Sequence, residues 1–188
     1  MSRVVEVVRT YLTLDSLAAL RPGRDVDAAA RIERRDPCSV GEYRRLYRDV
    51  GQQWYWHDRL DWSDQELEAH LVKPEVAVWV LVVGDASAGY FELQRHDGGS
   101  VEVLYVGLTA EFIGQGLGGM LLTAAVKEAF AMGASRVWLH TCTLDSPRAL
   151  PSYLARGFRA AGTQRLEVEI EGTRVLSERI LTAPPQLP

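Results

Sequence analysis

Cysteine is scarce in this chain, which has only Cys38 and Cys142 among its 188 residues. Two isolated cysteines give neither a disulfide framework nor the closely spaced ligands of a zinc site. We therefore expect two reduced thiols and no bound metal. Long apolar runs are also missing, so no segment has the length of a membrane span, and the N-terminus lacks the apolar stretch of a signal peptide. These absences favour a cytoplasmic protein.

The chain also lacks an excess of positive charge. Lysine and arginine total 21 against 25 aspartate and glutamate residues, for a net charge of −4. Nucleic-acid-binding proteins are usually basic, so this balance argues against a nucleic-acid partner. A mildly acidic surface is compatible with a substrate that arrives as an amine cation. With 47% apolar and 24% charged residues, the chain is typical of a globular protein, and we predict one domain over residues 1–188.

The first half of the chain contains patterns for strands and short helices. Alternating β-branched and polar residues predict a strand over Val4–Leu14, and a second strand could follow over Val26–Arg34. Ser39 and Ser63 are each followed three residues later by glutamate. This spacing is that of a capping box and predicts two helix starts.

The remaining elements alternate between strands and helices. Three strands joined by short turns must be antiparallel, whereas a strand that follows a helix can pair in parallel. In chain order we predict strands Val76–Val83, Gly89–Gln94 and Val101–Leu108, helix Leu117–Met132, strand Val137–Thr143, a short helix ending before Gly157, hairpin strands Leu166–Ile170 and Val175–Ile180, and a frayed tail from about residue 183. The predicted fold class is mixed α/β (α+β), with a mostly antiparallel central sheet flanked by helices.

Four glycines crowd between the strand that ends at Leu108 and the following helix, at positions 114, 116, 118 and 119. Glycines let the backbone approach a ligand closely, and a helix start with free N–H groups attracts anions. The first expectation is therefore a cofactor that carries phosphate. The spacing formally matches the dinucleotide fingerprint, but the next strand lacks the acidic residue that this motif needs. No Gly-Lys-Ser/Thr follows, which excludes a nucleotide P-loop.

The combination of motifs resembles the GNAT superfamily of acyl-CoA-dependent N-acetyltransferases. That family has a strand, a loop of the form Arg/Gln-Gly-x-Gly-x-Gly/Ala and a long helix, which here correspond to Val101–Leu108, residues 113–118 and the helix from Leu117. Its second motif is a strand, an Asn, and a helix with Ala and Tyr that ends in Gly-Phe. The counterpart here runs from Ser146 to Phe158. The resemblance covers most of residues 26–182, with Val4–Leu14 as an added strand.

The resemblance implies that acetyl-CoA is the co-substrate and that the loop backbone holds its pyrophosphate. The residues implied in cofactor binding are Leu108, Thr109, Ile113, Gly114, Gln115, Gly116, Leu117, Gly118, Gly119, Ser146 and Ala149. Ile113 stands at the Arg/Gln position, so its side chain cannot bond a phosphate, and affinity could be weaker. Ser146 stands at the Asn position and can still cap a helix.

The resemblance also implies direct attack of an amine on the thioester. It places the backbone N–H of Leu108 against the acetyl carbonyl, in a slot where its strand splays from Val137–Thr143. Tyr153 stands where the family has its general acid. Glu102 matches the base on the strand of some members, and alternation would put it on the same face as Leu108. The base could instead be Glu92, His140 or water.

An aromatic segment, Trp54–Trp62, falls between the two predicted helices. Trp54, Trp56 and Trp62 could form the walls of an acceptor pocket, or they could fill the core between helices. Arg59 could bind an acceptor carboxylate or pair with a neighbouring aspartate. The residues leave both questions open.

The predicted function is acetyl transfer from acetyl-CoA to a primary amine of a small molecule or a peptide end. The alternatives are a non-catalytic acyl-CoA-binding sensor and an enzyme that modifies protein lysines, which would need an open acceptor groove. The closing hairpin also offers an edge that could pair with a second copy in a homodimer. Neither the acceptor nor the oligomeric state can be read from the residues.

Overall fold

The structure is a computed structural model that describes residues 1–24 and 29–187. In this part of the chain a single eight-stranded sheet is flanked by four α-helices. In chain order the elements are strand β1 Arg3–Leu14, strand β2 Ala30–Arg35, helix α1 Val40–Gly51, helix α2 Asp64–Leu71, strands β3 Val76–Val83, β4 Ala86–Arg95 and β5 Ser100–Leu108, helix α3 Leu117–Ala131, strand β6 Arg136–Cys142, helix α4 Ala149–Ala155, and strands β7 Arg159–Glu171 and β8 Arg174–Ile180.

This order confirms the predicted fold class and most of the predicted elements. Residues 25–28, where the second strand was expected to begin, lie outside the described residues. Ser63 has the complete capping box with Glu66. At Ser39 only half of the box forms: the hydroxyl accepts from the Glu42 N–H, while the Glu42 carboxylate accepts from Arg35. The tail beyond residue 182 has no regular structure, yet Pro185 lies against Gly162, so it is packed rather than frayed at that point.

The strand order is β2-β3-β4-β5-β6-β1-β7-β8, and only β5 and β6 are parallel. The N-terminal strand β1 therefore lies inside the sheet, paired with β6 on one side and β7 on the other. Strand β8 forms one edge, as the closing hairpin predicted.

Among the described residues three apolar clusters pack on the sheet, and the two larger ones lie on its opposite faces. Helix α3 packs on one face, where Leu121 and Ala125 meet Val101 and Val103 of β5. Helices α1 and α2 pack on the other face, where Tyr43 and Leu67 are fully buried. Strand β5 lies between these two clusters and packs against both of them.

The parallel strands β5 and β6 pair only at Ser100–Arg136, Val101–Val137 and Glu102–Trp138. Beyond Glu102 they separate and leave an open slot between them. The predicted splay of these strands is therefore present.

Strand β5 also contains a β-bulge that the sequence pattern did not reveal. Glu92 of β4 pairs with Tyr105, but its neighbour Leu93 pairs with Val103, so Leu104 is the extra residue. Val103 and Val106 consequently face the same core. The prediction that Glu102 and Leu108 share a face is wrong, because the bulge reverses the alternation between them. Glu102 faces the side of α1 and α2.

Candidate active site

A cleft of about 510 Å³ opens where β5 and β6 separate. Its walls are the ends of these two strands, the loop of residues 113–119 (the glycine loop), helix α4 and part of the aromatic segment. The cleft thus joins the three regions that the sequence motifs had singled out.

The glycine loop supplies backbone donors without side chains in the way. Gly114 and Gly116 have φ angles of 89° and 84°, which glycine adopts without steric cost. Gly116 is the N-cap of α3, and within the described ranges no side chain accepts a hydrogen bond from the N–H groups of the first helical turn. These free donors and the positive end of the helix dipole suit a phosphate group.

At Leu108, the backbone N–H and C=O groups of β5 are directed into the slot. Thr109 donates its N–H to the carbonyl oxygen of Ala88 in the neighbouring strand β4 at 2.9 Å. Because hydrogen-bonded and non-bonded pairs alternate in an antiparallel ladder, the neighbouring Leu108 directs its N–H and C=O away from β4 and toward β6. The Leu108 N–H is therefore available to a carbonyl in the slot.

Helix α4 presents one face to the cleft, formed by Ala149, Ser152, Tyr153 and Arg156. The Tyr153 ring contacts Phe158, and its hydroxyl has no hydrogen-bond partner among the described residues. Burial, with a further contribution from Asp145, raises the pKa of Tyr153 above its usual value. A phenol that stays protonated in the wall of a cleft can donate a proton.

Glu102 lies at the closed end of the slot, in the last residue pair before the strands separate. Its side chain does not line the cleft, is only 6% exposed and bonds to Nε2 of His96 at 2.9 Å. Burial, reinforced by Glu92, raises the pKa of Glu102 to about 8. A carboxyl group with a pKa in this range can exchange a proton near neutral pH.

The other two candidate bases differ sharply in their surroundings. Glu92 is fully buried outside the cleft, where it accepts hydrogen bonds from Tyr43 and His70. His140 lines the cleft two residues beyond the end of the β5–β6 pairing. Desolvation within the cleft, followed by the charge of Arg9, lowers the pKa of His140, which favours the neutral imidazole at pH 7.

The tryptophans of the aromatic segment have different roles: some line the cleft, and one packs between the helices. Trp54 and Trp56 line the cleft, and Trp56 also packs on Tyr47 and Tyr105. Trp62 lies outside the cleft, where its ring contacts His70. Trp62 is therefore part of the packing between helices rather than of the cleft wall.

Arg59 is directed away from the cleft as well. Its guanidinium lies over the Trp62 ring at 3.9 Å and 3.8 Å from the Glu92 carboxylate. Among the described residues Arg59 pairs with the buried Glu92 rather than with a neighbouring aspartate, and its role toward an acceptor carboxylate stays a prediction.

Three residues implied in cofactor binding also keep their side chains out of the cleft. Leu117 is buried in the core on the α3 side, Thr109 bonds to Ala88, and the Gln115 amide donates to the Glu111 carbonyl. The other implied positions, Leu108, Ile113, Gly114, Gly116, Gly118, Gly119, Ser146 and Ala149, line the cleft.

Sequence reasoning missed several cleft residues. Tyr55, His57 and Asp58 belong to the aromatic segment and could have been found from their position in it. Arg9 of β1 and Glu178 of β8 form an ion pair at 3.6 Å in the wall. No sequence pattern reveals these two, because only the strand order brings both ends of the chain to the slot.

The described residues contain neither a cluster of metal ligands nor a membrane-spanning helix. No group of three or more His, Cys, Asp or Glu side chains in the described ranges could hold a metal ion. Nor does any described helix have the length and apolar character needed to cross a membrane.

A splayed parallel strand pair beside a glycine loop that begins a helix is the arrangement that the resemblance to acyltransferases implied. The family model of the acetyltransferase (GNAT) family matches residues 42–158. The chain belongs to this family of acyltransferase enzymes. Strand β1 and β2 precede the matched region.

Solved structures agree on the fold. A GCN5-related N-acetyltransferase from Kribbella flavida has 18% identity and a TM-score of 0.63, with 91% of this chain and 60% of that chain covered. A putative GNAT-family acetyltransferase from Novosphingobium aromaticivorans has 17% identity and a TM-score of 0.57, with 89% and 66% covered. This chain thus spans about two thirds or less of their lengths. An aminoglycoside acetyltransferase from an uncultured soil metagenomic sample has 17% identity and a TM-score of 0.59, with 70% and 90% covered. Among curated proteins no match is found.

Proposed function

We propose that this protein is an acetyl-CoA-dependent N-acetyltransferase whose acceptor is a primary amine of a small molecule. The observation that carries the proposal is the continuity of the cleft. It runs from the glycine loop, past the backbone of Leu108 and the hydroxyl of Tyr153, to the aromatic residues Trp54 and Trp56.

The residues present fit acetyl-CoA at the cofactor end. Gly114, Gly116 and the first turn of α3 would hold the pyrophosphate by backbone N–H groups, since no described side chain accepts hydrogen bonds from them. The slot between β5 and β6 would take the extended arm. When bound, acetyl-CoA supplies an acetyl group activated as a thioester.

The chain's own groups would then serve acyl transfer. The Leu108 N–H would donate to the acetyl carbonyl and stabilise the oxyanion that develops there. Tyr153 would protonate the departing thiolate, and Glu102 would take the proton of the ammonium, through water because its carboxyl group does not line the cleft. His140 is the rival base, since its neutral imidazole is open to the cleft.

The acceptor end favours a small molecule over a protein lysine. The aromatic segment extends from α1 across the cleft, and Tyr55 packs on the apolar cluster of β1, β7 and β8. This contact places an aromatic wall at the acceptor end, which suits a small molecule better than a protein substrate that needs an open groove. Asp58 adds a carboxylate there that would attract an ammonium group, whereas Glu178 is already paired with Arg9.

One structural neighbour, the soil metagenome enzyme, is an aminoglycoside acetyltransferase and was solved with sisomicin. It makes polyamine sugars a reasonable first class of acceptor to test. The proposal is tested by titrating CoA into the protein in a calorimeter, followed by an acetyl-CoA consumption screen over small amines, aminoglycosides and lysine peptides. Failure to bind CoA would refute the proposal, and turnover restricted to lysine peptides would replace the small-molecule acceptor by a protein.

A further inference from the structure

Arg156 is a cation in the cleft with no acidic partner among the described residues. It lies just after the last residue of α4 and lines the cleft beside Gly116, Gly118 and Gly119. Its Nε is buried and has no hydrogen-bond partner. A guanidinium prefers a carboxylate or a phosphate that accepts two parallel hydrogen bonds, and here none of the described carboxylates does so.

The guanidinium is held in place by backbone groups. Nη1 donates to the carbonyl oxygens of Arg21 and Pro22, at 3.5 and 3.3 Å. The backbone of Arg156 in turn accepts from the Arg21 N–H at 3.0 Å. The segment between β1 and β2 therefore positions the side chain, and the orientation does not depend on a bound ligand.

Gly119 makes room for this side chain at the start of α3. A Cβ atom at Gly119 would lie 3.2 Å from Arg156 Nη2 and 3.4 Å from Nε. The guanidinium therefore rests against the first turn of a helix, at the positive end of its dipole. A cation at this end is unfavourable by itself. An anion between the two would reverse the sign of the interaction, because both would then attract it.

The same anion would meet a donor that the glycine loop lacks. Ile113, 39% exposed, cannot bond a phosphate where the family pattern has Arg or Gln. We infer that Arg156 supplies the missing side-chain cation and binds the pyrophosphate of the acyl-CoA, together with the backbone of the glycine loop. The inference rests on the proposed function, because it assigns a residue to the cofactor end of the same cleft.

The test compares CoA binding by wild type, Arg156→Gln and Arg156→Lys in calorimetric titrations. Loss of a charge-assisted hydrogen bond should weaken binding about 10- to 100-fold in Arg156→Gln. The lysine variant keeps the charge and should recover part of the loss. Arg159→Gln is the matched control, since Arg159 is exposed three residues later and does not line the cleft.

Two ligands separate the phosphate contact from a structural effect. Dephospho-CoA lacks the 3′-phosphate but keeps the pyrophosphate, so the loss should persist with it. S-Acetylpantetheine lacks phosphate altogether, so wild type and Arg156→Gln should bind it equally. A loss that disappears with dephospho-CoA would overturn the assignment to the pyrophosphate. An equal loss with S-acetylpantetheine, or unchanged CoA affinity in Arg156→Gln, would overturn the inference. Failure of wild type to bind CoA would instead count against the proposed function.

Discussion

Glu102 and Trp138 form the last residue pair between the parallel strands β5 and β6, and the strands separate directly beyond it. The pair therefore marks the closed end of the slot in which acyl transfer is proposed. Glu102 lies at this end and faces α1 and α2, while Leu108 and the glycine loop lie at the open end. The length of β5 beyond this pair therefore separates the proposed site of proton transfer from the proposed site of phosphate binding.

Tyr153→Phe should lower kcat about 100-fold or more while leaving CoA affinity unchanged. Removal of the hydroxyl deletes the proposed proton donor, and general acid catalysis commonly contributes this much. The ring keeps its contact with Phe158. Steady-state kinetics and CoA titration on the same preparation measure both effects. Full turnover in the variant would show that the thiolate leaves without this acid.

The pH dependence of kcat/KM should reflect the ionisation of Glu102. Because the base must be deprotonated and its pKa is raised to about 8, kcat/KM of wild type should rise with pH up to that value. Glu102→Gln should be slow and should lose this limb of the profile. His140→Gln is the informative comparison. If His140→Gln abolishes the limb and Glu102→Gln retains it, the base is His140.

The raised pKa of Glu102 should also make stability depend on pH. The carboxyl keeps its proton in the folded state up to about pH 8 but releases it near 4.5, the ordinary value, when unfolded. The unfolded state thus binds fewer protons in this window, and the free energy of unfolding should fall as pH rises from 4.5 to 8. The slope should be at most about 1.4 kcal/mol per pH unit. Urea unfolding of wild type and Glu102→Gln at several pH values measures it, and a difference that stays constant with pH would contradict it.

Gly107→Ala should destabilise the protein by about 1–3 kcal/mol, since overpacking forces neighbours to move. The added methyl would lie 2.5 Å from Val50 Cγ1 of α1. Gly41→Ala is the control, because nothing lies within 4 Å of its added methyl and it stands near the start of α1. That change should be neutral or stabilising by up to about 1 kcal/mol. Equal effects of the two substitutions in urea unfolding would refute the close contact at Gly107.

Glu92→Leu should cost about 3–5 kcal/mol of stability, because it leaves the buried Arg59 without its carboxylate. Arg59 has 11% of its side chain exposed and lies 3.8 Å from Glu92. The double variant Glu92→Leu/Arg59→Leu should recover part of this loss. The coupling free energy comes from unfolding of both single variants and the double variant. Additive effects would show that the two charges do not interact.

Local patterns predicted the elements well because each depends on neighbours in sequence. The run Val76–Val83 forms a strand with the predicted bounds, and the Ser63 capping box begins α2 as expected. The bulge at Leu104 escaped prediction because an extra residue in one strand leaves no mark on composition. It moved Glu102 to the opposite face from Leu108, and with it the geometry of the candidate base.

By itself the sequence determined the fold class, the family and the glycine loop, since these follow from local periodicity and from motifs that are contiguous in the chain. Only the tertiary structure decided which side chains share the cleft. Arg9, Glu178 and Arg156 reach it because β1, β8 and α4 are assembled around one slot. Arg59 and Trp62 lie outside it, because Arg59 pairs with the buried Glu92 and the Trp62 ring packs against the Arg59 guanidinium. These outcomes depend on strand pairing and burial between segments that are distant in sequence. Local sequence patterns carry no information about the free energies of such contacts.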